Sequence, residues 1–279
     1  MNNSIIDVGG GTRDIYGAGV FDRLMDEGIV FDTMIGVSAG AANGASYCAS
    51  QRGRNYVFYT EYVQRKEYLG PVAFRNSGSL LDLDYIYGAL SNEGGEYPLD
   101  YDSYIASPMR LFIVATDAQT GKPVYFDKND TPRNSYDFVK ASSCLPVVCR
   151  PYKVDGREYY DGGLSDPLPF EKAKELGSDK LVVVLTKPVG TALSPTRNNL
   201  AAKALRKKYP AAAASLEISN ERYCHSLKKA LAAQDEGRCL IVAPDDIGDM
   251  GTLSKDKDAL DALYKKGYAD AEKIVGFLG

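Results

Sequence analysis

One short segment constrains this chain more than any other: Gly36-Val37-Ser38-Ala39-Gly40. It follows the apolar run Phe31-Asp32-Thr33-Met34-Ile35 and opens the small-residue stretch Ala41-Ala42-Asn43-Gly44-Ala45. A G-x-S-x-G between a strand-like run and a helix-like one describes a sharp strand-to-helix elbow. Gly36 and Gly40 are what the elbow requires, because a Cβ on either side would collide with neighbouring chain. The Ser38 hydroxyl is then presented at a helix N-terminus, whose dipole and free N–H groups favour developing negative charge.

A nucleophilic serine needs a base, and the chain contains one histidine, His225. The order Ser38, an aspartate, then His225 would suit a Ser-His-Asp triad in an α/β-hydrolase. Yet His225 lies in a long Lys/Arg/Glu-rich helical stretch with no loop signal, and reads more plainly as a helix-face residue. A carboxylate is the other candidate. Asp161 stands in Tyr159-Tyr160-Asp161-Gly162-Gly163, after an expected hairpin around Asp155-Gly156. Gly162 and Gly163 let the backbone turn hard there, although an ordinary Asp-Gly turn would look the same. The neighbouring Asp166-Pro167 reads as a helix N-cap followed by proline at the first helical position.

Near the N-terminus, the apolar run Ser4-Ile5-Ile6-Asp7-Val8 leads into Gly9-Gly10-Gly11-Thr12-Arg13 and then a helix with Ile15, Ala18, Phe21, Leu24 and Met25 on one face. Such a loop exposes consecutive backbone N–H groups and can hold an anion. The anion could be a cofactor pyrophosphate or the oxyanion of a tetrahedral acyl intermediate. A dinucleotide fingerprint would place its third glycine at position 14. Asp14 stands there, and its charge would repel pyrophosphate while suiting the first turn of a helix. Asp14 is therefore expected to cap free N–H groups of that helix.

Together the three segments resemble the patatin-like phospholipase family, most closely its bacterial single-domain branch. The family pattern is a G-G-G-x-R-G loop, a G-x-S-x-G elbow and a D-G-G/A segment. Here these are Gly9 to Asp14, Gly36 to Gly40, and Asp161-Gly162-Gly163, with Ala141-Ser142-Ser143-Cys144-Leu145-Pro146 similar to the family's A-S-x-x-x-P segment. The resemblance covers about residues 4–186, with Asp14 in place of the usual glycine. It implies a Ser38–Asp161 dyad without histidine and an oxyanion hole of backbone N–H groups at Gly10, Gly11 and Thr12. Gly9, Arg13, Gly36, Gly40, Gly162 and Gly163 would support it, with no metal and no cofactor. It also implies hydrolysis of lipid or phospholipid esters, with transient contact to a membrane surface. Arg13 would brace the loop, receive an anionic head group, or pair with a surface carboxylate. The rival expectations are a non-catalytic or regulatory lipid-binding protein on the same fold, in which Asp14 marks a damaged loop, and a Ser-His-Asp esterase for small soluble esters using Ser38 and His225.

Apolar runs alternate with helical patterns. Strands are expected at 4–8, 33–37, 110–116, 124–127, 180–186 and 238–243, and helices at 38–51, 167–177, 197–234 and 257–278. The alternation predicts a three-layer α/β/α sandwich with a largely parallel sheet. With 279 residues and 44% hydrophobic content, the chain is expected to form one domain, a core of about 4–186 and an extension over 187–279. A net charge of −4 gives no general attraction to nucleic acid. No stretch reaches the about 20 apolar residues that span a bilayer. Five cysteines without C-x-x-C spacing read as reduced thiols, and with no secretory pattern the expected location is cytoplasmic, peripheral to membrane at most. The Tyr- and Leu-rich segment 64–106 is placed where lids occur, and would either line an acyl groove or pack onto the domain.

Overall fold

The computed structural model describes residues 2–192 and 195–279. The apolar runs become strands: β1 (Asn3–Asp7), β2 (Thr33–Val37), β3 (Arg110–Asp117), β4 (Pro123–Asp127), β5 (Tyr152–Val154), β6 (Arg157–Asp161), β7 (Lys180–Val184) and β8 (Cys239–Val242). Between and around them run α1 (Ile15–Asp26), α2 (Ala39–Cys48), α3 (Arg54–Thr60), α4 (Pro71–Ser77), α5 (Tyr101–Ala106) and α6 (Asp137–Ser142). The second half carries α7 (Phe170–Glu175), α8 (Pro195–Leu205), α9 (Pro210–Glu217), α10 (Ser219–Asp235), α11 (Lys257–Asp270) and α12 (Glu272–Leu278).

Strands β3, β2, β1, β7 and β8 pair in that order, all parallel. Side chains alternate between the two faces of this sheet. Ile5, Met34, Leu111, Ile113, Val182 and Val184 bury with residues of α1, α2, α6 and α11. Ile6, Ile35, Phe112, Val114, Leu181 and Val183 bury with α7 and α10 on the other side. The result is the three-layer α/β/α sandwich that the alternation predicts, and its double-sided cover explains why the parallel strands read as continuous apolar runs.

The antiparallel part of the sheet positions the site. Residues 112–114 of β3 pair with both β2 and β4, and Ala115 and Thr116 pair with both β4 and β6. A strand has two edges, so β2 and β6 must share the edge opposite β4, one after the other. Val37 lies opposite Val114 and Asp161 opposite Ala115. The C-terminal ends of β2 and β6 therefore meet head-on. β5 and β6 form the expected hairpin, with Asp155 at φ 48° and Gly156 at φ 77°, the paired positive angles of a type I′ turn.

Several helix expectations change in detail. The single helix expected over 197–234 is three, because Pro210 cannot continue α8 and instead opens α9, which ends at Glu217. The helix expected over 167–177 contracts to α7. Pro167 and Pro169 hold the chain out of helix, and Asp166 accepts the Tyr125 hydroxyl at 2.6 Å rather than capping a helix that starts at 167. The 64–106 segment packs onto the domain: its Tyr68, Leu81, Leu83, Ile86 and Leu90 bury with Phe58, Tyr62, Leu205 and Tyr209.

The C-terminal residues are built into the same sheet through β8, and α11 lies against α1. Gly19 and Gly267 allow that approach: a Cβ on Gly19 would stand 2.8 Å from the Tyr268 nitrogen, and one on Gly267 2.8 Å from the Tyr16 carbonyl carbon. The Tyr16 hydroxyl donates to Asp270 at 2.8 Å across the same contact. Gly267→Ala is therefore expected to destabilise by about 1–3 kcal/mol, since overpacking outweighs the helix propensity gained. Gly276→Ala, in α12 with open space around it, should raise stability by about 0.5–1 kcal/mol. Urea denaturation of both variants checks this pair, and equal effects of the same sign would contradict it.

Candidate active site

Ser38 occupies the turn between β2 and α2 with φ 58° and ψ −126°, a backbone state that costs a non-glycine residue about 1–3 kcal/mol. Its surroundings enforce that state. A Cβ on Gly36 would lie 2.6 Å from the Ala41 Cα, and one on Gly40 2.5 Å from the Asp7 carbonyl oxygen, so α2 can pack this close to β1 and β2 only with glycine at both positions. The Ser38 N–H donates to the buried Ser142 hydroxyl at 2.8 Å. Ser142 thus supports the elbow's backbone, a contact that the serine motif alone does not reveal. The signal available for it is its place in Ala141-Ser142-Ser143-Cys144-Leu145-Pro146.

The meeting of β2 and β6 brings Asp161 to this elbow. The Asp161 N–H donates to the Cys144 carbonyl at 2.9 Å, and its carbonyl accepts the Thr116 hydroxyl at 2.8 Å. Oδ1 accepts the Gly163 N–H at 2.8 Å, while Oδ2 is buried and has no hydrogen-bond partner among the described residues. Burial lifts the carboxyl from 3.8 to about 6, against the opposing pull of the Ser38 hydroxyl and the Gly163 N–H. Asp161 is thus a carboxylate at neutral pH with one oxygen unspent, near enough to Ser38 to feel its hydroxyl.

The glycine loop lies against the same elbow: a Cβ on Gly9 would stand 3.1 Å from the Ser38 Cβ. Gly9 donates its N–H to Asp7 Oδ1 at 3.1 Å and accepts the Thr186 hydroxyl at 2.6 Å. Thr12, expected as a third donor towards an oxyanion, donates its N–H to the Thr252 carbonyl at 2.8 Å. That hydrogen bond withdraws it, leaving Gly10 and Gly11 as the loop's candidate donors. Arg13 is buried, with its guanidinium beside Gly10.

Asp14 stands at the N-cap position of α1; its carboxyl makes no capping bond of full hydrogen-bond geometry, yet lies close enough to the Gly17 N–H in the first turn to be stabilised by it, and both its oxygens are buried. The carboxyl also faces Asp7 over Gly17, where an added Cβ would lie 2.5 Å from Asp14 Oδ1, 2.8 Å from Asp7 Oδ2 and 2.9 Å from the Asn43 amide nitrogen. Asn43 donates to Asp7 Oδ2 and to the Asp14 carbonyl, each at 3.1 Å. Burial lifts Asp7 to about 6, and burial together with the Asp7 charge lifts Asp14 well above the carboxylate range; the Arg13 charge opposes the rise. The phenols of Tyr59 and Tyr87 face the pair from α3 and from the 85–89 turn, and add no charge at neutral pH. Two buried carboxyls this close resist ionising together.

Asp161 and the glycine loop border a cavity of about 380 Å³ that also meets Arg13, Leu164, Leu216 and Tyr223. Among the described residues none of its lining comes from 64–106. His225 is exposed on α10 and does not line it. Cys48, Cys144, Cys149 and Cys239 are buried and Cys224 is exposed, all unbridged. Among the described residues no group of three or more His, Cys, Asp and Glu side chains could hold a metal ion, and no helix is long and apolar enough to cross a membrane.

Comparison with known proteins places these residues in context. The patatin-like phospholipase family model matches residues 8–174, and a domain of unknown function (DUF6363) matches residues 209–276. The uncharacterized protein YjjU of Escherichia coli K12 is 32% identical over 190 residues, 66% of this chain and 52% of that protein. An uncharacterized NTE family protein of Mycobacterium tuberculosis is 27% identical over 76% of this chain and 57% of its own length. Lysophospholipase nte1 of Aspergillus terreus is 29% identical over 63% of this chain but 11% of its own. The chain thus spans little more than half the length of the bacterial relatives. The crystal structure of VipD from Legionella pneumophila shares the fold, with a TM-score of 0.50 at 14% identity over 99% of this chain and 67% of that one.

The carboxyl pair has a consequence for stability. Unfolded, Asp7 and Asp14 lose their protons near 3.8; folded, they keep them to higher pH. The folded state therefore binds more protons, and the pair's contribution falls as pH rises from about 4 through 6 and beyond. Asp14→Asn supplies a permanently neutral partner that can still donate to Asp7. Its melting temperature should decline less between pH 5 and pH 8 than that of the wild type. Parallel melting curves would show that the two carboxyls do not share a proton.

Proposed function

The chain belongs to the patatin-like phospholipase family, and from that membership we propose that it is a serine-dependent lipid acyl hydrolase working through a Ser38–Asp161 dyad. One observation carries the reading: β2 and β6 end against each other on one edge of β3, so a strained serine elbow and a buried carboxylate with a free oxygen adjoin each other beside the glycine loop.

In this mechanism the Ser38 oxygen attacks the ester carbonyl carbon while its proton passes to Asp161 Oδ2. A carboxylate raised to about 6 is a stronger base than an ordinary aspartate, yet stays ionised at pH 7. The negative charge moves to the carbonyl oxygen, where the N–H groups of Gly10 and Gly11 receive it in a partly dry site. Collapse of the intermediate breaks the bond to the alkoxy group, which leaves with the proton from Asp161 and yields an acyl-serine. Asp161 then takes a proton from water, the resulting hydroxide attacks the acyl carbon, and Ser38 regains its proton as the carboxylic acid departs. No metal or cofactor enters these steps.

Phospholipid or lysophospholipid esters are the substrates this reading favours, with the protein in the cytoplasm and touching membrane transiently. The whole chain acts as one catalytic unit, since β8 and α11 of the C-terminal part are built into the same layers. The esterase alternative built on His225 lacks support from a histidine exposed outside the cavity. The non-catalytic alternative rests on the charge of Asp14, which its burial beside Asp7 disfavours.

Ser38→Ala is expected to abolish hydrolysis of a short-chain nitrophenyl ester and labelling by a fluorophosphonate probe, with the fold retained. Asp161→Asn should lower kcat/KM by at least 10³-fold, because an amide cannot accept the serine proton, whereas His225→Ala should change it less than twofold. An active Asp161→Asn enzyme beside a dead His225→Ala enzyme would transfer the base to histidine.

A further inference from the structure

The segment 209–276 matches a domain to which no function is assigned, yet it reaches the site in three independent ways. First, Leu216 at the end of α9, Ser219, Asn220 and Tyr223 on α10, and Thr252 all border the cavity that Asp161, Gly9 and Gly10 border from the sheet side. Second, the segment grips the turn that follows Asp161. The Leu164 carbonyl accepts the Ser215 hydroxyl at 3.3 Å and the Arg222 guanidinium at 3.4 Å, and Arg222 also donates to the Ser215 hydroxyl at 2.6 Å. Third, the Thr252 carbonyl holds the glycine loop through the Thr12 N–H, and it approaches Gly11 so closely that no Cβ would fit there.

The cavity lining is mixed: Arg13, beside Gly10, and Lys187 bring charge to it, and Ser219, Asn220 and Thr252 bring polar groups. Its apolar groups include Leu164 and Pro167 from the turn after Asp161, Leu216 of α9 and Tyr223 of α10. Asp161 and Gly9, which adjoin Ser38, border the cavity, so it is a space open to a hydrocarbon chain leaving the elbow, with these apolar groups as its neighbours.

We propose that residues 209–276 form the acyl-chain wall of the hydrolase, with Leu216 and Tyr223 as the side chains that set how long a chain the site accepts. The proposal rests on the hydrolase reading for its substrate and on the clamps at Leu164 and Thr12 for its rigidity. A wall tied to both the Asp161 turn and the glycine loop cannot swing away to admit a longer chain without disturbing them. Chain length is then read as a fixed depth.

The test uses the full chain, with Leu216→Trp to fill the cavity and Tyr223→Ala to enlarge it. Two quantities are read: the ratio of kcat/KM for dodecanoyl over butanoyl nitrophenyl esters, and the affinity for dodecanoate by titration calorimetry. Leu216→Trp should lower the ratio at least tenfold and weaken dodecanoate by a similar factor, since each displaced methylene costs about fourfold. Tyr223→Ala should raise the ratio about threefold, in the opposite direction, which a general loss of folding would not do. A ratio and an affinity that stay put in both variants, with melting temperatures near that of the wild type, would overturn the wall. A wild-type protein that hydrolyses neither ester but loses dodecanoate affinity in Leu216→Trp would remove the hydrolase reading and keep the wall.

Discussion

The site depends on one shared edge of β3. β4 occupies one side of that strand, so β2 and β6 must use the other in turn, and each ends where the next begins. Val37 and Asp161 are fixed by consecutive residues of β3, Val114 and Ala115, and backbone ladders hold them more rigidly than loops could. On the proposed reading, nucleophile and base are brought together by sheet register and need no mobile segment to find each other. Gly162 completes the junction: a Cβ there would stand 2.8 Å from the Val114 carbonyl carbon.

This arrangement carries costs that the surrounding core offsets. The Ser38 backbone is strained, Asp161 is a buried carboxylate lifted to about 6, and Asp7 and Asp14 lie buried together beneath the loop. Each is destabilising at neutral pH, and each is held by specific neighbours rather than by burial alone. Ser142 fixes the elbow, Gly163 satisfies one oxygen of Asp161, and Asn43 bridges Asp7 to the Asp14 backbone. A strained serine beside buried carboxyls with unpaired oxygens is the combination expected of a preorganised site.

Much of this was legible in the residues. The elbow, the hairpin at Asp155-Gly156 and the parallel strands announce themselves through glycine spacing and continuous apolar runs, which are local signals. The roles that depend on distant neighbours were not legible. Asp14 reads as a helix cap because helix starts favour carboxylates, and it does stand at the N-cap near the Gly17 N–H; its closeness to Asp7, which the missing Cβ of Gly17 permits, carries no local signal. Thr12 reads as a loop donor until Thr252, 240 residues further along, accepts its N–H. Pro210 interrupts the helical pattern over 197–234 and starts a new helix there. The aromatic segment 64–106 has the composition of a lid, yet its own cluster absorbs those side chains, and the cavity wall comes from residues whose amphipathic helices gave no sign of it.

The central claim is that a buried aspartate, coupled to Ser38 through the meeting of two strands, is the base. The most direct measurement is the pH dependence of the second-order rate at which a fluorophosphonate modifies Ser38. That rate isolates serine activation from substrate binding and product release. The account predicts a rate that rises with pH and levels off above an apparent pKa of about 6, unchanged in His225→Ala and reduced to a low, flat profile in Asp161→Asn. A titration near 6 that persists in Asp161→Asn and vanishes in His225→Ala would contradict it.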